Sequence, residues 1–296
     1  MKTFCSTAPL ALALLGTLVP AQDPEIETVR VNDHLFMLIG NGGNIGLTVG
    51  ESGPMIIDDQ YAPMVPKIQA AVRVHTDESV KFVLNTHWHG DHTGGNERFG
   101  EAGAVIVAHE NVRKRMSMPK FIQELNREES APEKSLPVIT ITDNVTFHWN
   151  GDEIRLFHVP NAHTDGDVII WFVDSNVFHM GDTFFTNGYP YIDIGSGGTY
   201  KGLMAAADRV LGLVNDETKI IPGHGALADK KRLQVYRAML ETVHGRVSKL
   251  IDEGKTEAEV LAAKPSREWD GEFDGGFMPT ARWLGIVYQS IKAEKK

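Results

Sequence analysis

Short apolar stretches separated by glycine-rich turns dominate the first part of the chain. Residues 28–39 and 46–58 alternate or run apolar and read as strands, with Asn41-Gly42-Gly43-Asn44 as the hairpin turn between them. Residues 62–75 place their apolar positions at helical spacing, 80–86 form a branched apolar run, and 103–109 followed by 110–116 give another strand and helix. Residues 117–137 break this rhythm, because Pro119, Pro132 and Pro137 enclose a charged piece that reads as a surface excursion or lid. The strand pattern resumes at 145–150, 152–160, 167–173 and 177–182, parted by Asn150-Gly151 and by the turn residues 161–166. Helical spacing returns at 199–214, 229–251 and 280–293 around a short strand at 219–221, and the Gly/Asp-rich stretch 268–277 reads as a loop. Strands alternating with helices, then a second run of strands, predict an α/β layered architecture with two β layers.

The chain ends change this picture little, but they set the context. Lys2, an apolar centre at 8–19 and the small-residue site Val19-Pro20-Ala21 together have the form of a secretory signal peptide. The expectation is a signal over residues 1–21 and one domain over 22–296, periplasmic or secreted. The apolar centre is shorter than the roughly 20 residues a spanning helix needs, so no membrane anchor is expected. Cys5, the only cysteine, lies inside the signal, which excludes thiolate ligands and disulfides from the processed chain. The formal charge of −10 becomes −11 without Lys2, and such an acidic chain is a poor binder of nucleic acid. The basic cluster at 113–115 reads as a solvated helix face. A small-molecule substrate is expected, and nothing in the sequence sets the number of subunits.

The chemistry concentrates at residues 81–96, where an apolar run empties into Thr86-His87-Trp88-His89-Gly90-Asp91-His92. His87 and His89, two apart on an extended segment, point to one side, whereas Asp91 and His92 follow Gly90 and can turn toward a second point. Neutral imidazole and carboxylate in this combination suit zinc, and iron and manganese accept the same donors. His163, Asp182 and His224 each sit in a glycine-bearing turn directly after an apolar run, which is the signature of the first cluster. Asp58 and Asp59 end another strand, where a carboxylate either buttresses the histidine loop or caps a helix. Ser52, Ser196 and Ser248 have no fitting base motif and read as turn or surface residues. Of the remaining histidines, His179 comes closest to the site, as a hydrogen-bonded group in a strand interior.

The ordered series HxHxDH, then HTDGD, GD and GHG, over about residues 58–225, resembles the metallo-beta-lactamase superfamily. The resemblance implies a four-layer αββα sandwich with metals in a shallow groove at one edge of the two sheets. It further implies that His87, His89 and His163 hold one zinc, that Asp91, His92 and His224 hold the other, and that Asp182 bridges them. An aspartate at 182 in a chain without a usable cysteine is similar to the ligand set of glyoxalase-type hydrolases and lactonases. His92 stands where the cysteine-using lactamases usually have arginine, and Phe184 and Phe185 stand near the place of their carboxylate-holding basic residue.

The expected activity is hydrolysis of an ester, lactone, thioester or amide, with beta-lactams included, by a hydroxide bridging two zinc ions roughly 3.5 to 4 Å apart. Asp91 is the expected catalytic residue, orienting that hydroxide. The alternative on the same fold is a non-haem iron redox enzyme similar to the persulfide dioxygenases. Residues 184–200 follow the bridging ligand and mix aromatics with glycines, so Tyr189, Tyr191 and Ile192 are the candidate substrate-binding residues. No Lys or Arg lies between Asp182 and Tyr200, which favours a neutral or apolar acyl group.

Overall fold

The computed structural model describes residues 25–122 and 127–295. The expected signal, residues 1–21, lies outside them. Two sheets pack face to face. The first has seven strands in the order Glu27–Arg30, Leu35–Ile39, Ile45–Thr48, Met55–Ile57, Phe82–Leu84, Val105–His109 and Ile139–Ile141. Its first four strands are an antiparallel meander, and its last four run parallel. The second has six strands in the order Asn144–Trp149, Asp152–His158, Val168–Phe172, Val177–His179, Lys219–Ile221 and Ala228–Asp229, with one parallel pair, Val177–His179 beside Lys219–Ile221.

Strand residues alternate between two apolar environments, which is why these strands read as continuous apolar runs. Leu35, Met37, Met55, Ile57, Leu84 and Val107 face Ile154, Leu156, Ile170, Phe172, Val177 and Ile221 between the sheets. Their neighbours Phe36, Leu38, Ile56 and Val83 face outward onto helices Val65–Arg73 and Asn96–Glu101, through Val65, Ile68, Val72 and Phe99. On the far side, Phe157, Ile169 and Phe178 pack under helices Tyr200–Leu211, Lys230–Asp252, Glu257–Ala263 and Thr280–Glu294. The result is the four-layer αββα sandwich expected.

Several local readings change. Residues 28–39 are two strands rather than one, because the Asn32 Oδ1 accepts from the backbone N–H groups of both His34 and Leu35 and turns the chain. Residues 46–58 likewise split at 49–54. Residues 117–137 hold a two-stranded pair, Lys120–Ile122 with Arg127–Glu129, separate from both main sheets. The 268–277 stretch contains a short helix, Asp270–Phe273. Helix Glu257–Ala263 begins with a capping box, Thr256 with Glu259, that the sequence reading passed over. Among the described residues no helix is long and apolar enough to cross a membrane.

Ile170 belongs to the apolar layer between the sheets and is fully buried. Ile170→Ala should lower unfolding free energy by about 2–5 kcal/mol through lost transfer energy and a residual cavity. Urea denaturation should show a lower midpoint with an unchanged slope.

Candidate metal centre

Strand direction collects the site at one edge. His87 follows strand Phe82–Leu84, His163 follows Asp152–His158, Asp182 follows Val177–His179 and His224 follows Lys219–Ile221, so all four leave the carboxyl ends of strands. His89 is the N-cap of the short helix Gly90–Thr93, whose one turn carries Asp91 and His92. Two groups of donors result: His87, His89, His163 and Asp182 in one, and Asp91, His92 and His224 in the other, with the donor atoms of each group within 4.8 Å of one another.

Hydrogen bonds on the outside decide which nitrogen of each ring carries the proton. Thr86 Oγ1 donates to Asp58 Oδ2 at 2.7 Å, so it can only accept from His87 Nδ1 at 3.0 Å. His89 Nε2 donates to Asp193 Oδ2 at 2.9 Å, and His163 Nδ1 donates to the Tyr191 carbonyl at 2.8 Å. In the neutral rings the opposite nitrogens, His87 Nε2, His89 Nδ1 and His163 Nε2, are therefore the bare ones. They nevertheless converge, with His89 Nδ1 at 3.1 Å from His87 Nε2 and 2.9 Å from His163 Nε2. Three lone pairs meeting without a proton between them need a cation. His92 is oriented in the same way, its Nδ1 donating to Asp58 Oδ2 at 2.7 Å so that its Nε2 faces inward, but the facing carboxylates keep that ring protonated in the absence of metal.

Asp182 connects the groups. Its Oδ2 lies 3.8 Å from His87 Nε2 and 3.6 Å from His163 Nε2, while its Oδ1 lies 3.1 Å from His92 Nε2 and 3.4 Å from His224 Nε2. That Oδ1 is buried with no hydrogen bond of acceptable geometry, an orphan acceptor that a metal would satisfy. Asp91 Oδ2 faces the second group, 3.3 Å from His224 Nε2 and 3.5 Å from His92 Nε2. The donor set thus fits divalent cations held by imidazole and carboxylate.

The charges agree. Burial holds His87 far below the usual imidazole range and brings His163 down to about 4. Burial also acts to lower His92 and His224, but the facing carboxylates outweigh it: Asp182 and Asp58 raise His92, and Asp182 and Asp91 raise His224 to about 9. Without metal, the second group therefore carries protons that a cation must displace.

Close backbone approach needs glycine at two positions. A Cβ on Gly43 would lie 2.1 Å from the His92 ring, and one on Gly223 would lie 2.1 Å from Asp182 Oδ1. Loops 41–44 and 222–225 are also tied together, since Asn44 donates to the carbonyls of Pro222 and Gly225.

The centre opens into a cavity of about 490 Å³. Phe185 stacks along His224 with centroids 5.2 Å apart, and Tyr191 lies parallel to His89 at 6.1 Å. Among the described residues no lysine or arginine lines this cavity. Of the three candidate substrate residues, Tyr191 lines the wall. Tyr189 borders the cavity but is 2% exposed, stacked on Trp283 at 4.0 Å with its hydroxyl on Asp270. Ile192 is 1% exposed, lies in the core under the second sheet and does not line the cavity. His179 is a fully buried strand residue, accepting from Gly181 N–H and donating to the Asn44 carbonyl.

Asp193 is the residue that sequence reasoning missed. Burial acts to raise its carboxyl, but the His89 and Ser196 hydrogen bonds win and hold it at about 2, so it is a permanent acceptor for His89. Ser196, read as a surface or turn residue, is buried and donates to that carboxylate. No local pattern marks this pair. The only pointer was its place in the 184–200 loop.

Asp193→Ala should weaken the first metal about 10- to 100-fold, with Asp193→Asn intermediate because an amide oxygen still accepts from His89. Competition with a chromogenic chelator measures this, and an unchanged melting temperature separates it from misfolding. Metal uptake should also release protons from His92 and His224, and affinity at the second group should rise with pH toward about 9, where His224 loses its proton unaided. Titration of metal into weakly buffered apoprotein reads the release directly.

The Metallo-beta-lactamase superfamily profile matches residues 62–224, which contain every ligand named above. The hydroxyacylglutathione hydrolase of Pelagibacter ubique is 26% identical over 203 residues, spanning 68% of this chain and 70% of that protein. The Rhodospirillum rubrum hydroxyacylglutathione hydrolase is 30% identical over 149 residues, spanning 49% of this chain and 48% of the relative. Among solved structures, the DIM-1 metallo-beta-lactamase superposes with a TM-score of 0.60 at 18% identity, covering 74% of this chain and 98% of the other. The sec-alkylsulfatase Pisa1 from Pseudomonas sp. superposes at 0.66 and 16% identity, covering 89% of this chain and 50% of that one. At such identities the structures attest the fold, and the profile, covering more than half of the chain, attests the family. The chain belongs to the metallo-beta-lactamase superfamily, as a metal-dependent hydrolase.

Proposed function

We propose that this chain is an exported dinuclear zinc hydrolase that cleaves a neutral acyl substrate, an ester, lactone or thioester, by adding water to its carbonyl. The observation that carries this reading is the convergence of three unprotonated imidazole nitrogens and a shared carboxylate beneath an apolar cavity. His87, His89, His163 and Asp182 would hold one divalent cation and Asp91, His92 and His224 a second, and the pair would supply Lewis acidity toward a carbonyl oxygen and hydroxide near neutral pH. Asp91, the more exposed of the two cavity carboxylates, would orient the attacking water; as that oxygen bonds to the carbonyl carbon the acyl–oxygen or acyl–sulfur bond breaks, and the proton lost by the water goes to the departing alcohol or thiol. Tyr191 and Phe185 wall the cavity on either side and exclude bulk water from the carbonyl.

The names of the relatives support acyl hydrolysis, and the cavity narrows the substrate. Glutathione conjugates and beta-lactam acids carry carboxylates, and the cavity offers no lysine or arginine among the described residues to pair with them. The lining itself therefore favours a neutral substrate, Arg282 being a cation near Tyr191 that does not line the cavity. Export rests on the composition of residues 1–21 and on Cys5 being the only cysteine.

Protein loaded with zinc should retain two ions per chain by elemental analysis. It should hydrolyse neutral esters or lactones, and a chelator should abolish this. Asp91→Asn should lower turnover by orders of magnitude with both metals retained and the Michaelis constant little changed. Retention of one ion, iron as the metal that supports activity, or wild-type turnover in a fully loaded Asp91→Asn variant would each overturn the scheme.

A further inference from the structure

One wall of the cavity comes from a part of the chain outside the family-matched region. Phe277 lines the cavity and is 80% exposed, while its neighbour Met278 is 1% exposed and anchored in the core. The loop carrying Phe277 is held in place from the metal side. Gly276 packs against residues 187–188 so closely that a Cβ there would lie 2.6 Å from the Asn187 carbonyl and 3.0 Å from Gly188 Cα. The Tyr189 N–H donates to the Phe273 carbonyl at 3.1 Å, and its hydroxyl donates to Asp270. The position of Phe277 is therefore fixed by packing at both ends, yet its ring is left to water. A phenylalanine ring held exposed at a cavity mouth offers apolar surface that an apolar ligand arm would remove from water.

Tyr61 is the second exposed aromatic of this lining. It lines the same cavity and is 44% exposed, close enough to Asp91 for that carboxylate to raise its hydroxyl pKa, although burial does more. Its backbone is placed by two buried residues with positive φ just before it, Asp58 at 63° and Gln60 at 56°, and Gln60 is clamped by a hydrogen bond to the Gly43 carbonyl. Such conformations persist only where the surroundings enforce them.

Both exposed aromatics therefore stand at the mouth of a cavity whose floor is the donor cluster and whose inner walls are Phe185 and Tyr191. We infer that Phe277 and Tyr61 form an apolar lip that binds the hydrocarbon arm of the substrate, so that the enzyme selects neutral acyl compounds carrying a medium or long apolar chain. This inference rests on the acyl-hydrolase reading above and names its substrate class. Phe277 acts as a specificity residue, belongs to neither donor group, and contributes to binding rather than to the chemical step.

The test uses p-nitrophenyl esters with acyl chains of two to ten carbons, with metal-loaded full-length protein. Wild-type kcat/KM should rise with chain length. Phe277→Ala should raise KM about tenfold for the longest esters, with kcat, metal content and the two-carbon ester unchanged, and Phe277→Leu should restore most of the loss. Tyr61→Ala should act in the same direction. Binding of the neutral fluorophore N-phenyl-1-naphthylamine, followed by fluorescence, reads the lip without any turnover and should weaken in Phe277→Ala. If no ester is cleaved but probe binding still depends on Phe277, the acyl-hydrolase reading fails and the apolar lip stands. If esters are cleaved while Phe277→Ala leaves both chain-length dependence and probe affinity unchanged, or shifts all esters equally, the lip is overturned.

Discussion

The whole site depends on a proton inventory. Each inward nitrogen of the first group is bare because an acceptor on the outside has claimed the only proton of the ring: the Thr86 hydroxyl for His87, Asp193 for His89 and the Tyr191 carbonyl for His163. Burial keeps His87 and His163 from regaining charge, so mutual repulsion of lone pairs is built into the apoprotein. Such an arrangement does not stabilise the fold. It is held by the packed layers around it and relieved when a cation enters, which places metal affinity and folding stability on one thermodynamic cycle.

Asp58 shows how few atoms organise the two groups. Its Oδ1 accepts from the Thr86 N–H at 2.7 Å, and its Oδ2 accepts from both the Thr86 hydroxyl and His92 Nδ1. It therefore fixes His92 directly and His87 through one hydroxyl, so a single buried carboxylate sets ring orientation on both sides of Asp182. Thr86 also joins the sheets, since its carbonyl accepts from the Val168 N–H at 2.8 Å. The left-handed backbone at Asp58 costs on the order of 1 kcal/mol, and the hydrogen bonds it makes hold it there.

The ligands were legible in sequence because each sits in a glycine-bearing turn after an apolar run, and strand ends are where a chain can bring distant residues to one edge. The layers were legible because both faces of each sheet are covered, which makes strands continuous in hydrophobicity. The buttressing role of Asp58 was one of two open readings, and only the 34-residue separation closed by its bond to His92 decides it. Asp193 and His89 are 104 residues apart, and no local spacing reports such a contact. Within 184–200 the chain is irregular, so residue type could not tell Tyr191, which borders the cavity, from Ile192, which turns into the core. Phe277 was hidden for a related reason. Glycine and aspartate mark a loop, but they do not say what the loop faces.

These positions divide the molecule by task. The donors, the first group's outer acceptors Thr86 and Asp193 and the carbonyl of Tyr191 all lie within residues 62–224, the part shared with the family, while Asp58, the acceptor for His92, lies just before it. The props behind Tyr189, namely Asp270, Phe273 and Trp283, lie beyond it, as does Phe277. The 184–200 loop belongs to both, because Asp193 ties it to a metal ligand and Tyr189 ties it to the C-terminal helices. Changes in the C-terminal segment can then alter which substrates fit while leaving the donor geometry in place, since the hydrogen bonds that set the proton inventory do not pass through it.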